Sequence, residues 1–251
     1  PFDAPRYFQL FSDRMPFASN LSKESHIIAA NVDQAFLVVS LFLPSTNCEF
    51  IDRFLVTAEA YRIPVTLLLN KCDLYATDAL QDAQTEFLKI YRSAGYEVIE
   101  LSATQQTGID AFKKMLPGKT SLLSGNSGVG KSTLIRAIDP SLDIRIGAVS
   151  ASSSKGKHTT TFSEMYPLAG GGYLIDTPGI KGFGLIDIEN DEICRYFPDL
   201  FRYAPRCGYY NCTHTHEPAC AVREALRAGE IGLSRYESYL KLLDDDQKYR
   251  K

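Results

Sequence analysis

The amino-acid sequence predicts an α/β fold in which a doubly wound, mostly parallel sheet is followed by a small, mainly helical domain. Three observations predict it. Apolar segments of strand length alternate with amphipathic segments of helix length over most of the chain. The strand segments are apolar on both faces, which is typical of a parallel sheet covered by helices on both sides. After about residue 191 the composition changes to cysteine, tyrosine and arginine, and two helical patterns follow.

Each element of this fold has its own signal in the sequence. Strands are predicted from apolar runs at 31–42, 64–73, 96–103, 119–125 and 171–179. Helices are predicted from capping residues and spaced apolar positions at 45–63, 79–94, 108–116, 131–138, 218–231 and 234–250. The predicted domains are an N-terminal remnant or linker at 1–25, an α/β domain at 26–190 and a C-terminal domain at 191–251.

Composition narrows the class of protein. The 251 residues carry a net charge of -3, so the chain as a whole lacks the positive charge that would attract nucleic acid. The longest apolar run, at 35–43, is about half of the ~18 residues that span a bilayer. With no signal peptide pattern either, we expect a cytoplasmic protein without a membrane partner. Three of the six cysteines lie close together near a histidine, which in a reducing compartment indicates metal binding.

A glycine-rich loop follows the strand at 119–125. Its pattern is G-x-x-x-x-G-K-[ST], in which converging backbone N–H groups and the N-terminus of the next helix hold phosphates. Lys131 is expected to reach the β- and γ-phosphates, and the Ser132 hydroxyl to ligate Mg²⁺. The residues expected to hold the nucleotide here are Gly125, Asn126, Ser127, Gly128, Val129, Gly130, Lys131, Ser132 and Thr133.

A second motif, "NKCD", follows the strand at 64–73. Asp73 can accept hydrogen bonds from N1–H and N2–H₂ of guanine, whereas adenine offers no such donor pair. Asn70 is expected to tie this loop to the phosphate loop, and the Lys71 stem to lie along the base. The remaining predicted base contacts are Cys72 in this loop and Ser102 and Ala103 in "LSAT", which also ends a strand. This pairing of loops disfavours the alternative of a P-loop ATPase or kinase.

A third motif, "DTPG", ends the last predicted strand. Asp176 is placed to hold Mg²⁺, and the Gly179 N–H to bond the γ-phosphate. In the polar "GKHTTT" upstream, Thr160 is the expected Mg²⁺ ligand of the triphosphate state, in a loop predicted to be mobile. Ile180 cannot orient the attacking water, so we expect slow intrinsic hydrolysis. His158 is the nearest titratable candidate for that role, and a solvated loop histidine is the alternative.

The order of these motifs is unusual, because the base reader precedes the phosphate loop. A doubly wound sheet keeps its ligand loops at the carboxyl ends of the strands whatever the chain order. Joining the termini of such a domain and cutting it elsewhere therefore preserves the site. The sequence thus predicts a circularly permuted P-loop GTPase fold that binds GTP or GDP with Mg²⁺. The γ-phosphate motifs then lie directly before the C-terminal segment.

A cluster of metal ligands follows. Cys207, Cys212, His214 and Cys220 supply three thiolates and one imidazole, a complete tetrahedral set for one structural Zn²⁺. His216 competes with His214 as a ligand. Arginines and tyrosines around the cluster suggest either a solvated face or an RNA-facing patch. These are Arg202, Tyr203, Arg206, Tyr209, Tyr210, Arg223 and Arg227.

The permuted order of these motifs, joined to this zinc spacing, resembles the small-ribosomal-subunit-dependent GTPases known as the RsgA or YjeQ family, over residues 20–250. The resemblance implies a cytoplasmic GTP hydrolase that acts in late maturation of the 30S subunit, is stimulated by the subunit and is released on hydrolysis. It also implies contact with 16S rRNA, a role for His158 in catalysis and, we expect, a monomer. A nucleotide-gated RNA-binding scaffold with incidental hydrolysis is the alternative function.

One feature departs from that family. Its members carry an N-terminal OB-fold, and five strands of about 5–6 residues need well over the 25 or so residues before the first predicted strand. We therefore expect this domain to be missing.

Overall fold

The structure is a computed structural model that describes residues 7–11, 25–142, 163–177 and 188–249. An antiparallel pair comes first in the chain and a six-stranded sheet follows. In chain order the strands are β1 (Tyr7–Phe11), β2 (Ser25–Ala30), β3 (Gln34–Val39), β4 (Val65–Leu69), β5 (Glu97–Glu100), β6 (Thr120–Gly125), β7 (Glu164–Pro167) and β8 (Tyr173–Asp176).

The six-stranded sheet has the order β5-β4-β3-β6-β8-β7. All neighbours pair in parallel except β7 and β8, which are antiparallel. The doubly wound, mostly parallel sheet predicted from the sequence is confirmed. Strand order reverses between β3 and β6, so the carboxyl ends of these two strands border the crevice in which such sheets bind ligands.

Helices cover both faces of this sheet. In chain order the helices are α1 (Cys48–Ala60), α2 (Asp78–Ser93), α3 (Ile109–Lys113), α4 (Lys131–Ile138), α5 (Pro198–Phe201), α6 (Ala221–Arg227) and α7 (Leu233–Tyr249), of which α1 to α4 pack on the sheet. One core layer combines β3 residues such as Leu37 with Phe54 of α1 and Tyr91 of α2. The other combines Phe36 of the same strand with Phe112 of α3 and with α4. The period of two in a strand sends alternate side chains into the two layers, which explains the unbroken apolar run of β3.

The first strand of the sheet ends earlier than its apolar run predicts. The run continues through residue 43, but β3 ends at Val39. The residues that follow form a turn-rich segment, the 40–47 loop, in which the Thr46 N–H donates to the Ser40 carbonyl (2.7 Å) and the Ser40 N–H to Thr46 Oγ1 (3.1 Å). Because these bonds turn the chain back on itself at Ser40, the residues after Val39 cannot continue the pairing of β3 with its neighbouring strands. The loop ends at Asn47, whose side chain accepts from the Glu49 N–H and caps α1.

The C-terminal segment packs on α1. A third core cluster joins apolar residues of α5, α6 and α7 to Val56, which lies in α1. Arg235 of α7 is fully buried in this contact. Its guanidinium pairs with Asp52 of α1 (2.8 Å) and, through two bonds, with Asp199 of α5 (2.8 and 3.1 Å). The Phe197 ring lies 4.5 Å from the guanidinium carbon.

The sequence patterns miss three strands. β1 and β2 carry no clear alternation between apolar and polar residues, so no period marks them. β7 is a four-residue edge strand containing a proline, which reads as a turn from sequence alone. Among the helices within the described ranges, none combines the length and the apolar character that crossing a bilayer requires.

Candidate functional site

The predicted motifs that lie within the described ranges meet at one edge of the sheet. "NKCD" follows β4, "LSAT" follows β5, the glycine-rich loop follows β6, and Asp176 is the last residue of β8. Because parallel strands end at the same edge, residues far apart in sequence become neighbours there. The permuted chain order therefore leaves the site in one place.

Glycine is required at two points of the phosphate loop. Gly125 has φ +149, and a Cβ there would lie 2.4 Å from the Val38 carbonyl oxygen. Gly130 has φ +103, and a Cβ there would lie 2.4 Å from Nδ2 of Asn70. Gly130 also precedes α4 without a side-chain cap, so the first N–H groups of that helix remain available to an anion.

Asn70 joins the base loops to the phosphate loop. Its amide Nδ2 donates to the Val129 carbonyl (2.8 Å), and its Oδ1 accepts from the Ala103 N–H (3.1 Å). The residue is 2% exposed, so each lost bond would leave a buried polar group without a partner. One side chain thus fixes the spacing of three loops.

Lys71 extends over the phosphate loop. Its backbone is left-handed, with φ 68. The ammonium donates to the Gly128 carbonyl (2.8 Å) and to the Leu43 carbonyl of the 40–47 loop. Burial lowers the pKa of this lysine, and the nearby Asp73 carboxylate acts in the opposite direction. Lys71 therefore links a fourth segment, the 40–47 loop, to the site.

Asp73 is oriented from the second base loop. Oδ2 of Asp73 accepts from the Thr104 hydroxyl (3.4 Å), which in turn contacts the Ser102 hydroxyl (3.1 Å). The Cys72 side chain turns inward instead, with its thiol donating to the Leu69 carbonyl (3.2 Å). Burial raises the pKa of that thiol to about 11, so it stays protonated. Of these two side chains, the exposed Asp73 carboxylate is the one that can accept hydrogen bonds from a ligand, so base reading by Asp73 stays the prediction for this loop.

Lys131 and Asp176 form the charged part of the site. The Lys131 ammonium donates to the carbonyls of Gly125 (2.6 Å) and Asn126 (3.2 Å). Burial raises the pKa of Asp176 to about 6, with Lys131 lowering it and Glu164 raising it further. Oδ1 of Asp176 is buried and has no hydrogen-bond partner among the described residues. A desolvated carboxylate oxygen of this kind suits Mg²⁺, which prefers oxygen ligands.

Three predicted site residues lie outside the described ranges: His158, Thr160 and Gly179. Their roles stay predictions. Ser132 and Thr133 lie in the first turn of α4, and Asn126 and Ser127 in the loop before it, at the place that the motif requires.

The cysteine cluster has the dimensions of a metal centre. The ligand atoms of Cys207, Cys212, His214 and Cys220 all lie within 4.8 Å of one another. Nδ1 of His214 is 3.5 Å from the sulfurs of Cys207 and Cys220, which are 4.0 Å apart. Tetrahedral Zn²⁺ with Zn–S of about 2.3 Å and Zn–N of about 2.0 Å gives sulfur–nitrogen and sulfur–sulfur separations of about 3.5 and 3.8 Å. The donor set fits this ion.

The segment that carries these ligands is held by α7 and by one carboxylate. Tyr236 donates to the His214 carbonyl (2.6 Å) and Tyr239 to the Thr213 carbonyl (2.8 Å). Glu217 accepts from the N–H groups of Thr213, Thr215 and His216. Although burial opposes it, these bonds lower the pKa of Glu217. His216 is exposed and its ring contacts Thr215, so His214 occupies the fourth corner of the cluster.

A model of the RsgA GTPase family matches residues 14–186. The chain belongs to the RsgA GTPase family. It is 54% identical over 235 residues to a protein of Phocaeicola vulgatus named small ribosomal subunit biogenesis GTPase RsgA, covering 93% of this chain and 76% of that one. A protein of the same name from Flavobacterium johnsoniae is 50% identical over 230 residues, covering 92% and 70%.

Two solved structures extend the agreement to three dimensions. YjeQ from Thermotoga maritima matches with a TM-score of 0.73 and 39% identity, over 86% of this chain and 72% of that one. YloQ, described as a circularly permuted GTPase, matches with a TM-score of 0.71 and 31% identity, over 93% and 78%. The predictions of a circularly permuted GTPase fold, of GTP hydrolysis and of GTP or GDP binding with Mg²⁺ are confirmed at the level of the family.

Sequence reasoning misses residues that support the RsgA-type site. Tyr75 and the 40–47 loop lie against the base loops, yet no motif includes them. One signal in the sequence could have pointed to the 40–47 loop: the apolar run continues through residue 43, past the end of β3 at Val39. In the structure, Phe42 and Leu43 of this run are 42% and 62% exposed.

Proposed function

We propose that this protein hydrolyses GTP as a maturation factor of the small ribosomal subunit, in the cytoplasm, and that its nucleotide state controls binding to and release from the subunit. The observation that carries the proposal is that Asn70 joins both base loops to the phosphate loop, in a chain that also carries the cysteine cluster. The names of the relatives from Phocaeicola vulgatus and Flavobacterium johnsoniae support the ribosomal role.

In this proposal the base reader works by paired hydrogen bonds. Asp73 accepts from N1–H and N2–H₂ of guanine while Thr104 holds its second oxygen. The Ala103 N–H and Ser102 lie on the second base loop, and the Lys71 stem lies along the purine. Adenine leaves the carboxylate without donors, which costs far more affinity than a lost apolar contact.

The phosphate end works by electrostatics. Successive N–H groups from Gly125 to Thr133 surround the β-phosphate, and Lys131 exchanges its carbonyl partners for the β- and γ-phosphates. Mg²⁺, when bound, neutralises charge between those phosphates. Ser132, Thr160 and Asp176 are the residues proposed to hold it. Gly179 is proposed to bond the γ-phosphate and His158 to orient the attacking water.

The cysteine cluster is proposed to hold one structural Zn²⁺. All four ligand positions come from the protein, so no position is left for a substrate. The segment between Cys207 and Cys220 is too short to bury a core of its own. Metal binding therefore supplies much of its folding free energy.

The proposed partners are the 30S subunit and its 16S rRNA, bound by a monomer. Exposed aromatic and basic side chains around the metal cluster, among them Arg206, Tyr209 and Tyr210, support an RNA-facing surface. We also propose the division into 1–25, 26–190 and 191–251, which the separate core cluster of α5, α6 and α7 supports.

The experiment is GTP turnover with and without purified 30S subunits. We expect many-fold stimulation, and none with Lys131→Ala, which removes the phosphate contact. A matched control is Lys241→Ala, an exposed lysine on α7 away from the site. Turnover that subunits leave unchanged, together with tight GTP-dependent RNA binding, would contradict the proposal and favour a scaffold.

A further inference from the structure

Tyr75 lies two residues after the base reader and reaches beneath it. Its side chain is 4% exposed and packs in the core layer of α1 and α2. The hydroxyl donates to the Asn70 carbonyl (2.9 Å) and accepts from the Leu41 N–H (2.9 Å). Burial raises the pKa of this phenol, so the proton needed for the bond to Asn70 is retained at neutral pH.

Both partners are backbone groups of loops at the nucleotide edge. The Asn70 carbonyl belongs to the peptide that leads into Lys71, whose left-handed backbone must be held by its surroundings. The Leu41 N–H belongs to the 40–47 loop. The Lys71 ammonium bonds the same loop through the Leu43 carbonyl. Two hydrogen bonds therefore attach the 40–47 loop to the segment that contains Asp73.

The contacts of Tyr75 divide into two kinds. The ring packs in the core. The hydroxyl instead forms hydrogen bonds with backbone groups of two loops, the Leu41 N–H and the Asn70 carbonyl. Removing the oxygen would leave the buried Asn70 carbonyl and the partly buried Leu41 N–H without their present partner. The core packing of the ring would remain.

We propose that Tyr75 is a positioning residue for guanine recognition, whose hydroxyl fixes the Asn70–Lys71 peptide and so aims Asp73 at the purine edge. This inference rests on the proposed role of Asp73. A misaimed carboxylate weakens two hydrogen bonds to guanine and one to hypoxanthine, which lacks the 2-amino group. The loss is therefore larger for guanine nucleotides.

The test compares dissociation constants of GDP and IDP, with Mg²⁺, for wild type and Tyr75→Phe. We expect GDP affinity to fall about tenfold and IDP affinity to fall by less, so that the GDP preference shrinks. Tyr91→Phe is the matched control, since it removes another buried hydroxyl of the same core layer, bonded to Asp52. It should leave the preference unchanged.

Two outcomes would overturn the inference. If Tyr75→Phe leaves the GDP preference unchanged, whether or not both affinities fall equally, while Asp73→Asn abolishes it, the role of Tyr75 alone is overturned. A preference that survives Asp73→Asn overturns the base reader itself and Tyr75 with it. Thr46→Val, which removes a closing bond of the 40–47 loop, provides a second variant and should shrink the preference in the same direction.

Discussion

Replacing Arg235 with leucine is expected to destabilise the protein strongly, because it leaves two buried carboxylates without their cation. The guanidinium is fully buried and bonds Asp52 and Asp199 at 2.8 Å. Removing one partner of a buried ion pair costs about 3–5 kcal/mol. For a chain of this length each kcal/mol lowers the melting temperature by about 2–4 °C, so the expected drop is roughly 6–20 °C.

The loss should depend on pH. Burial raises the pKa of Asp52, and Arg235 opposes that shift. Without the arginine the folded-state pKa rises further above the unfolded value, so stability is lost as pH rises through it. The deficit relative to wild type should therefore be larger at pH 8 than at pH 5, where the Asp52 carboxyl group accepts a proton more readily.

Thermal and urea unfolding of Arg235→Leu at both pH values measures this. Lys241→Leu is the matched control, because Lys241 of α7 also pairs with α1, through Glu49 at 3.2 Å, but is 59% exposed. Such an exposed pair contributes at most about 1 kcal/mol. A loss for Arg235→Leu that equals the control, or that is the same at both pH values, would refute the reasoning.

Three other substitutions test separate parts of the structure. Cys212→Ser should lower zinc content by elemental analysis, whereas Cys48→Ser, outside the cluster, should keep it. Gly130→Ala should weaken GDP binding at least tenfold by calorimetry, because its Cβ would lie 2.4 Å from Nδ2 of Asn70. Asp176→Asn should abolish turnover. It should also stabilise the nucleotide-free protein by about 1–2 kcal/mol at pH 8, because the folded-state pKa of Asp176, about 6, exceeds the unfolded value and the ionised carboxylate therefore destabilises the fold. Below about pH 4, where the carboxyl group is protonated, this gain in stability should vanish. A destabilised Asp176→Asn protein at pH 8 would contradict that sign.

Sequence predicts well where residue type is dictated locally. The helix after the glycine-rich loop has the predicted bounds, Lys131–Ile138, and it begins directly after the motif glycine Gly130, which precedes the first helical residue in the left-handed conformation. The sequence likewise predicts that the base loops and Asp176 lie at strand ends, as the structure has them, since a buried parallel strand is a continuous apolar run with a polar end.

What sequence misses depends on distant partners. Arg235 lies in an amphipathic helical pattern and reads as an exposed residue, yet its partner Asp52 is 183 positions away. Tyr75 reads as an ordinary core aromatic because its hydroxyl bonds backbone groups, which leave no mark on residue type. Neither contact can be predicted from the spacing of residues in a single sequence.

α1 connects the nucleotide edge to the C-terminal domain. It begins at Asn47, where the 40–47 loop held by Lys71 and Tyr75 ends, and it carries Asp52 to Arg235 and Val56 into the C-terminal core. The permuted chain order places the C-terminal domain after the γ-phosphate motif, which provides one covalent path between them. The packing of α1 provides a second path, from the base-reading side. We therefore expect a change in the 40–47 loop on nucleotide binding to reach the C-terminal helices α5 to α7 through α1, and we expect a weaker Asp52–Arg235 pair to interrupt that path while leaving the covalent one intact.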